Sequence, residues 1–171
     1  MSSGDTLFIL TPQASTPPAT LFATLDTITE LSTPNASIPV LDFDGNADEH
    51  MDWWATVPSQ YGGGGFTFSM KYAMSGSDGS AVEMEFRVMK LQDSDDLSSD
   101  LTIDGQTAAT LQDTPISTAD DLNYTATIGL SHANADSPAV SDRIIIRATR
   151  DESFADNQDD LQLLEILVLE T

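Results

Sequence analysis

The residues best equipped for chemistry in this sequence are its carboxylates. Asp42, Asp44, Asn46 and Asp48 stand at alternate positions of the run LDFDGNADE. Oxygen ligands spaced in this way on a turning backbone can converge on one calcium ion. The likeness stops halfway, because, counting from Asp42, the glycine is the fourth residue rather than the sixth, and the twelfth is Trp53 rather than a bidentate glutamate. The four are therefore read as a turn that ends a strand, with cation binding as the minor alternative, and no metal is expected. The runs Asp93 to Asp100 and Asp156 to Asp160 read as solvated loops. Two carboxylates flanking a cleft would suffice for glycoside hydrolysis, yet no pair is singled out by its context. Trp53, Trp54 and Tyr61 offer rings on which a sugar could stack. Adjacent tryptophans on a strand point to opposite faces, so one enters the core and the other is covered, buried at an interface or free to bind. The two histidines, His50 and His132, are too few for a metal site or a catalytic triad. No G-x-S-x-G elbow, P-loop or dinucleotide fingerprint is present. No enzymatic activity and no cofactor are expected.

The charge balance narrows the partners. The 171 residues carry 28 acidic and 6 basic side chains, a formal net charge of -22. Such a surface repels a phosphate backbone and an anionic membrane surface, so neither nucleic acid nor membrane is expected. It favours solubility at high copy number. The absence of cysteine removes disulfides, thiolate zinc sites and cysteine nucleophiles together. The amino terminus lacks the basic region and apolar run of a secretory signal.

The elements that must position these groups are strands. Residues 1–37 read as an arm, extended or partly helical, with four of the eight prolines. Within it Leu21, Leu25, Ile28 and Leu31 recur at helical spacing, although Leu21 to Leu25 also reads as a strand. These apolar residues suit an arm that docks on a partner; a flexible leader is the alternative. Residues 38–171 read as a β domain. Phe66 to Met74 and Val82 to Val88 alternate apolar and polar residues across a short Gly/Ser/Asp connection, which predicts a hairpin. Leu122 to Leu130 and Arg143 to Thr149 alternate as well, and 92–121 is a long polar connection. The last segment places Leu164, Ile166 and Val168 on one face, opposite Leu161, Leu163, Leu167 and Leu169. A strand apolar on both faces is either covered by the chain's own arm or lies at a subunit contact. About seven strands and no strong helix in the body define an all-β chain, an antiparallel β-sandwich of jelly-roll type with an extended N-terminal arm.

The segment Ile38 to Met74 resembles small β-sandwich virion proteins of tailed phages, through Leu41, Asp42, Phe43, Asp48 and Glu49, then Pro58, Tyr61, Gly63 and Gly64. The resemblance implies a capsid decoration, or cement, protein on the outer surface of the virion head. It would stabilise the lattice of its partner, the major capsid protein, as a homotrimer. The contact residues would come from Leu21, Leu25, Ile28, Leu31, Trp53, Trp54, Leu164, Ile166 and Val168. The alternative is a tail-fibre or receptor-binding virion module that recognises a host-surface glycan through Trp53 or Trp54 and Tyr61.

Overall fold

The computed structural model describes residues 4–29, 36–99, 101–153 and 157–171. Leu31, Asp100 and Asp156 lie outside them. The strands are β1 (Thr6–Leu10), β2 (Thr24–Thr29), β3 (Ser37–Phe43), β4 (Glu49–Thr56), β5 (Gly65–Met74), β6 (Val82–Lys90), β7 (Ala109–Asp113), β8 (Asn123–Tyr124), β9 (Ile128–Ser131), β10 (Arg143–Arg150) and β11 (Leu161–Glu170). The helical pieces among the described residues are two short 3-10 turns, Pro12–Ala14 and Ile103–Gly105.

The strands form two antiparallel sheets, a β-sandwich of jelly-roll type. One runs β2-β3-β11-β5-β8, with β1 also on β11 and β9 also on β5; the other runs β4-β10-β6-β7. Their apolar faces meet in one core. Leu41, Phe68, Tyr72, Leu163 and Val168 come from the first sheet, and Met51, Trp53, Phe86 and Ile146 from the second. Phe68 and Phe86 stack across the sandwich with ring centroids 4.8 Å apart and planes 8° from parallel.

That stack corrects one expectation. β5 and β6 are not a hairpin: β5 pairs with β11, β8 and β9, whereas β6 pairs with β10 and β7. The connection between them crosses from sheet to sheet. Alternation assigns each strand an apolar face, but strands side by side and strands facing each other across a core satisfy it equally.

The leading segment is extended, and it belongs to the sandwich. β1 pairs with β11, and Leu7, Leu10 and Ala23 are buried in the common core. The helical option for Leu21 to Leu31 is not taken where the structure describes it, since Thr24 to Thr29 pairs with β3. β-branched Thr24, Thr27, Ile28 and Thr29 favour that outcome. Leu21 and Leu25 are exposed and Ile28 is half-buried. Leu25 and Phe22 border an apolar cavity of about 250 Å³ between this segment and Leu41 and Met51.

In β11 the faces predicted from strict alternation change midway. Pairing with β5 runs Leu163 with Tyr72, then Glu165 with Lys71 and Ile166 with Met70, so Leu164 is an extra residue in a bulge. One inserted residue reverses every side chain beyond it. Ile166 and Val168 therefore join Leu161 and Leu163 in the core, and Leu164 is half-buried.

Candidate functional site

The outer face of the β4-β10-β6-β7 sheet carries a polar cleft of about 180 Å³, bordered by Asp48, His50, Glu85, Arg87, Asp104, Thr149 and Asp151. Strand register builds its floor. Thr149 stands between His50 and Glu85, and Arg147 between Asp52 and Arg87. The 3-10 turn at Ile103–Gly105 supplies Asp104 as a wall.

Short polar contacts fix the floor. Arg147 is a bidentate donor to Asp52, Nε to Oδ1 at 2.7 Å and Nη2 to Oδ2 at 2.8 Å, while its Nη1 donates to Asp104 Oδ1 at 2.7 Å. Arg87 pairs with Glu85 at 2.7 Å and donates from Nε to the Gln106 carbonyl. His50 Nδ1 lies 2.9 Å from Thr149 Oγ1. Burial lowers the His50 pKa, and the Arg147 guanidinium lowers it further.

Carboxylate oxygens of Glu83, Glu85 and Asp151 lie within 4.8 Å of one another, a spacing at which they could hold a cation. Glu83 is buried and accepts from Gln112 Nε2 at 2.8 Å. Burial pushes its pKa upward against that hydrogen bond, with Asp151 and Glu85 adding to the rise.

Trp54 stands on the same sheet face, farther along, beside Ile145 and Met89. It is half-buried beneath Leu101 and Ile103, with the Arg143 guanidinium 5.9 Å from its ring centroid. Trp53 points the other way, into the core, and its Nε1 donates to the Thr11 carbonyl. Tyr61 is buried against Phe66 at a centroid distance of 5.2 Å, and its hydroxyl contacts His132 Nδ1 and accepts from Gly65 N. Neither Trp53 nor Tyr61 is free to stack on a sugar.

The calcium-like run does not converge. Asp42 and Asp44 border an acidic cavity with Glu49 and Asp160, whereas Asp48 faces the cleft on the other sheet. Asp44 Oδ1 accepts from Asn46 N and Nδ2, an Asx turn that ends β3. Asp48 Oδ1 accepts from Glu152 N.

One exposed aromatic escaped the sequence reading, which placed Tyr124 in line with Leu130. Tyr124 is 66% exposed on the outer face of the seven-stranded sheet. Lys71 Nζ lies 5.8 Å from its ring centroid and pairs with Glu165 at 2.8 Å. The backbone between β8 and β9 breaks the alternation, so buried Asn123 and buried Leu130 share a face despite their odd spacing.

No protein-family model matches the chain, and no curated protein matches it. Similar folds occur among solved structures. TmCBM27, a carbohydrate-binding module described for specific mannan recognition, is 8% identical, with 99% of each chain covered and a TM-score of 0.47. CBM27-1 of Caldicellulosiruptor saccharolyticus, solved with mannohexaose, is 8% identical over 94% of this chain and 91% of its own, at 0.43. The CBM36-1 domain of a multidomain xylanase from the hindgut metagenome of Trinervitermes trinervoides is 7% identical over 94% of each chain, at 0.44. The similar folds named above are carbohydrate-binding modules. The capsid-decoration expectation is corrected by the fold: the segment expected to grip a capsid is committed within the molecule, through β1 on β11 and Leu7 and Leu10 in the core. The expected trimer and major capsid partner rested on that reading. Among the described residues no helix is long and apolar enough to cross a membrane.

Proposed function

We propose that this chain is a glycan-binding module that takes a neutral or amine-bearing sugar in the cleft on its four-stranded sheet. The lining of the cleft carries the reading. Side chains able to donate, His50, Arg87 and Thr149, alternate with acceptors from Asp48, Glu85 and Asp151 on a floor of paired strands. A sugar presents neighbouring hydroxyls that each donate and accept, so such a lining is complementary to it. Pockets that enclose whole drug-sized ligands measure roughly 300–1,000 Å³. At about 180 Å³ this cleft suits one ring or a chain end, with the remainder in solvent. A net charge of -22 disfavours uronate and sulfated glycans.

Sugar recognition is the part of the receptor-binding alternative that this cleft supports, at residues other than Trp53 and Tyr61.

Calorimetry against neutral manno-, xylo- and cello-oligosaccharides, chitosan oligomers and polygalacturonate tests the proposal. Binding to a neutral or amine-bearing oligomer is expected, weakened at least about tenfold by Asp151→Ala, the loss of one good hydrogen bond to a charged group, and by a smaller factor by His50→Ala, the loss of one to a neutral ring. Binding only to polygalacturonate, or to no glycan, overturns the reading. Binding that Tyr124→Ala abolishes while His50→Ala leaves it intact moves the site to the opposite sheet.

A further inference from the structure

Asp42 and Gln162 face each other across the middle rung of the ladder that joins β3 to β11, between the pairs Phe43–Leu161 and Leu41–Leu163. Each carries one buried side-chain oxygen, Asp42 Oδ1 and Gln162 Oε1, that receives no hydrogen bond. Two buried acceptors on one rung, neither of them receiving a hydrogen bond, are costly. A single proton relieves both, because a protonated carboxyl group donates its O–H and an amide oxygen accepts it.

We propose that Asp42 is held as a carboxylic acid that donates to Gln162 Oε1, and that this shared proton is a pH-sensitive clasp between the β2–β3 hairpin and the body of the sandwich.

The surroundings favour the neutral acid. On β2 Thr24 is the direct partner of Asp42 and Asp26 lies diagonal to it; Glu49 of β4, Asp44 of the turn and Asp160 on the approach to β11 add their charges. The opposing cation is Arg150 of β10, which is fully buried and gives its Nη1 and Nη2 to the carbonyls of Phe43 and Asn157. Burial, followed by the charges of Asp160, Asp26 and Glu49, pushes the Asp42 pKa up to about 6, against the smaller pull of Arg150. Below that value the clasp is closed. Above it the hydrogen bond is lost, and another carboxylate joins a cavity already bordered by Asp44, Glu49 and Asp160. The ladder from β3 to β11 is short, so its middle rung matters. The same hairpin borders the apolar cavity at Leu25 and Leu41.

Carbon-13 NMR titration of the Asp42 carboxyl group tests this in the full chain, with and without millimolar calcium. The expected midpoint is near 6. In Gln162→Met it should fall by about one pH unit, because an acceptor that favours the neutral acid is gone. A rise would mean that the Gln162 amide donates to a carboxylate, and no change would mean that no proton is shared; either result overturns the proposal. A wild-type midpoint moved down by calcium overturns it too, in favour of a cation between the two oxygens. Asp42→Asn supplies a permanent donor, so the hydrogen-exchange protection of residues 41–43 should no longer depend on pH once intrinsic exchange is corrected. PH-dependent protection that persists in this variant also rejects the clasp.

Discussion

Arg147 and Asp52 are direct cross-strand partners on β10 and β4, and their side chains close a two-bond fork at 2.7 and 2.8 Å with both groups buried. The second carboxylate on the same guanidinium, Asp104, is different: its side chain is 72% exposed. Removing one partner of a buried ion pair leaves an uncompensated charge and costs about 3–5 kcal/mol, whereas an exposed pair is worth about 0–1 kcal/mol. Asp52→Ala should therefore lower the unfolding free energy several-fold more than Asp104→Ala. Urea denaturation of the two variants measures the difference, and equal losses would contradict this ranking.

The leading strand makes a second expectation concrete. Leu7 and Leu10 are buried in the common core and β1 pairs with β11. Burying one leucine side chain contributes about 1.5–3 kcal/mol, so the two approach the lower end of the roughly 5–15 kcal/mol that holds a whole domain folded. Deleting residues 1–10 should cause a large fall in melting temperature by circular dichroism. An arm that merely projected from a finished domain would leave the melting curve unchanged.

The bulge at Leu164 sets apart two neighbours that composition treats alike. Ile166 is buried in the core, and Leu167 is half-buried on the outer face. Ile166→Ala should cost about 2–5 kcal/mol, as buried isoleucine truncations do, and Leu167→Ala clearly less. Strict alternation along the strand, with no bulge, would set Ile166 on the face opposite Leu161 and Leu163 and reverse this order.

The same bulge shows how far the sequence could be read. Alternation in Phe66 to Met74, Val82 to Val88 and Arg143 to Thr149 located β5, β6 and β10, because side chains there keep one parity from end to end. It failed wherever the parity shifts, at Leu164 and between Asn123 and Ile128, and no residue type at those points announces the extra residue. Pairing partners were not legible either, as β5 and β6 show, because they depend on which sheet a connection enters. The cleft is the clearest case of this. His50, Glu85, Arg87 and Thr149 come from three strands far apart in the chain, and only the register of β4, β10 and β6 brings them together. Trp54 could be flagged from its neighbour Trp53, whereas Tyr124 looked like a core residue until its strand proved to be two residues long.

Protonation links this geometry to stability. Burial raises the pKa values of Asp42, Glu49 and Glu83, with the Asp42 value reaching about 6. Between the ordinary carboxylate range and these raised values, the folded chain holds more protons than the unfolded chain. Stability must then fall as pH rises through that window. His50 acts oppositely: burial and Arg147 lower its pKa, so protonation near its ordinary value destabilises the fold, and that cost disappears as pH rises. The Asp42 shift, to about 6, is the large one, and mutual repulsion within a net charge of -22 acts in the same direction. The melting temperature should therefore be several degrees higher at about pH 5 than at about pH 7.5, since about 1 kcal/mol corresponds to roughly 2–4 °C in a chain of this size. Glu83→Gln removes one raised carboxyl group and keeps an oxygen for Gln112 Nε2, so it should narrow that gap. A melting temperature that climbs steadily from pH 5 to neutrality would mean that these carboxylates are ionised in the folded chain without strain, and that the histidine term governs.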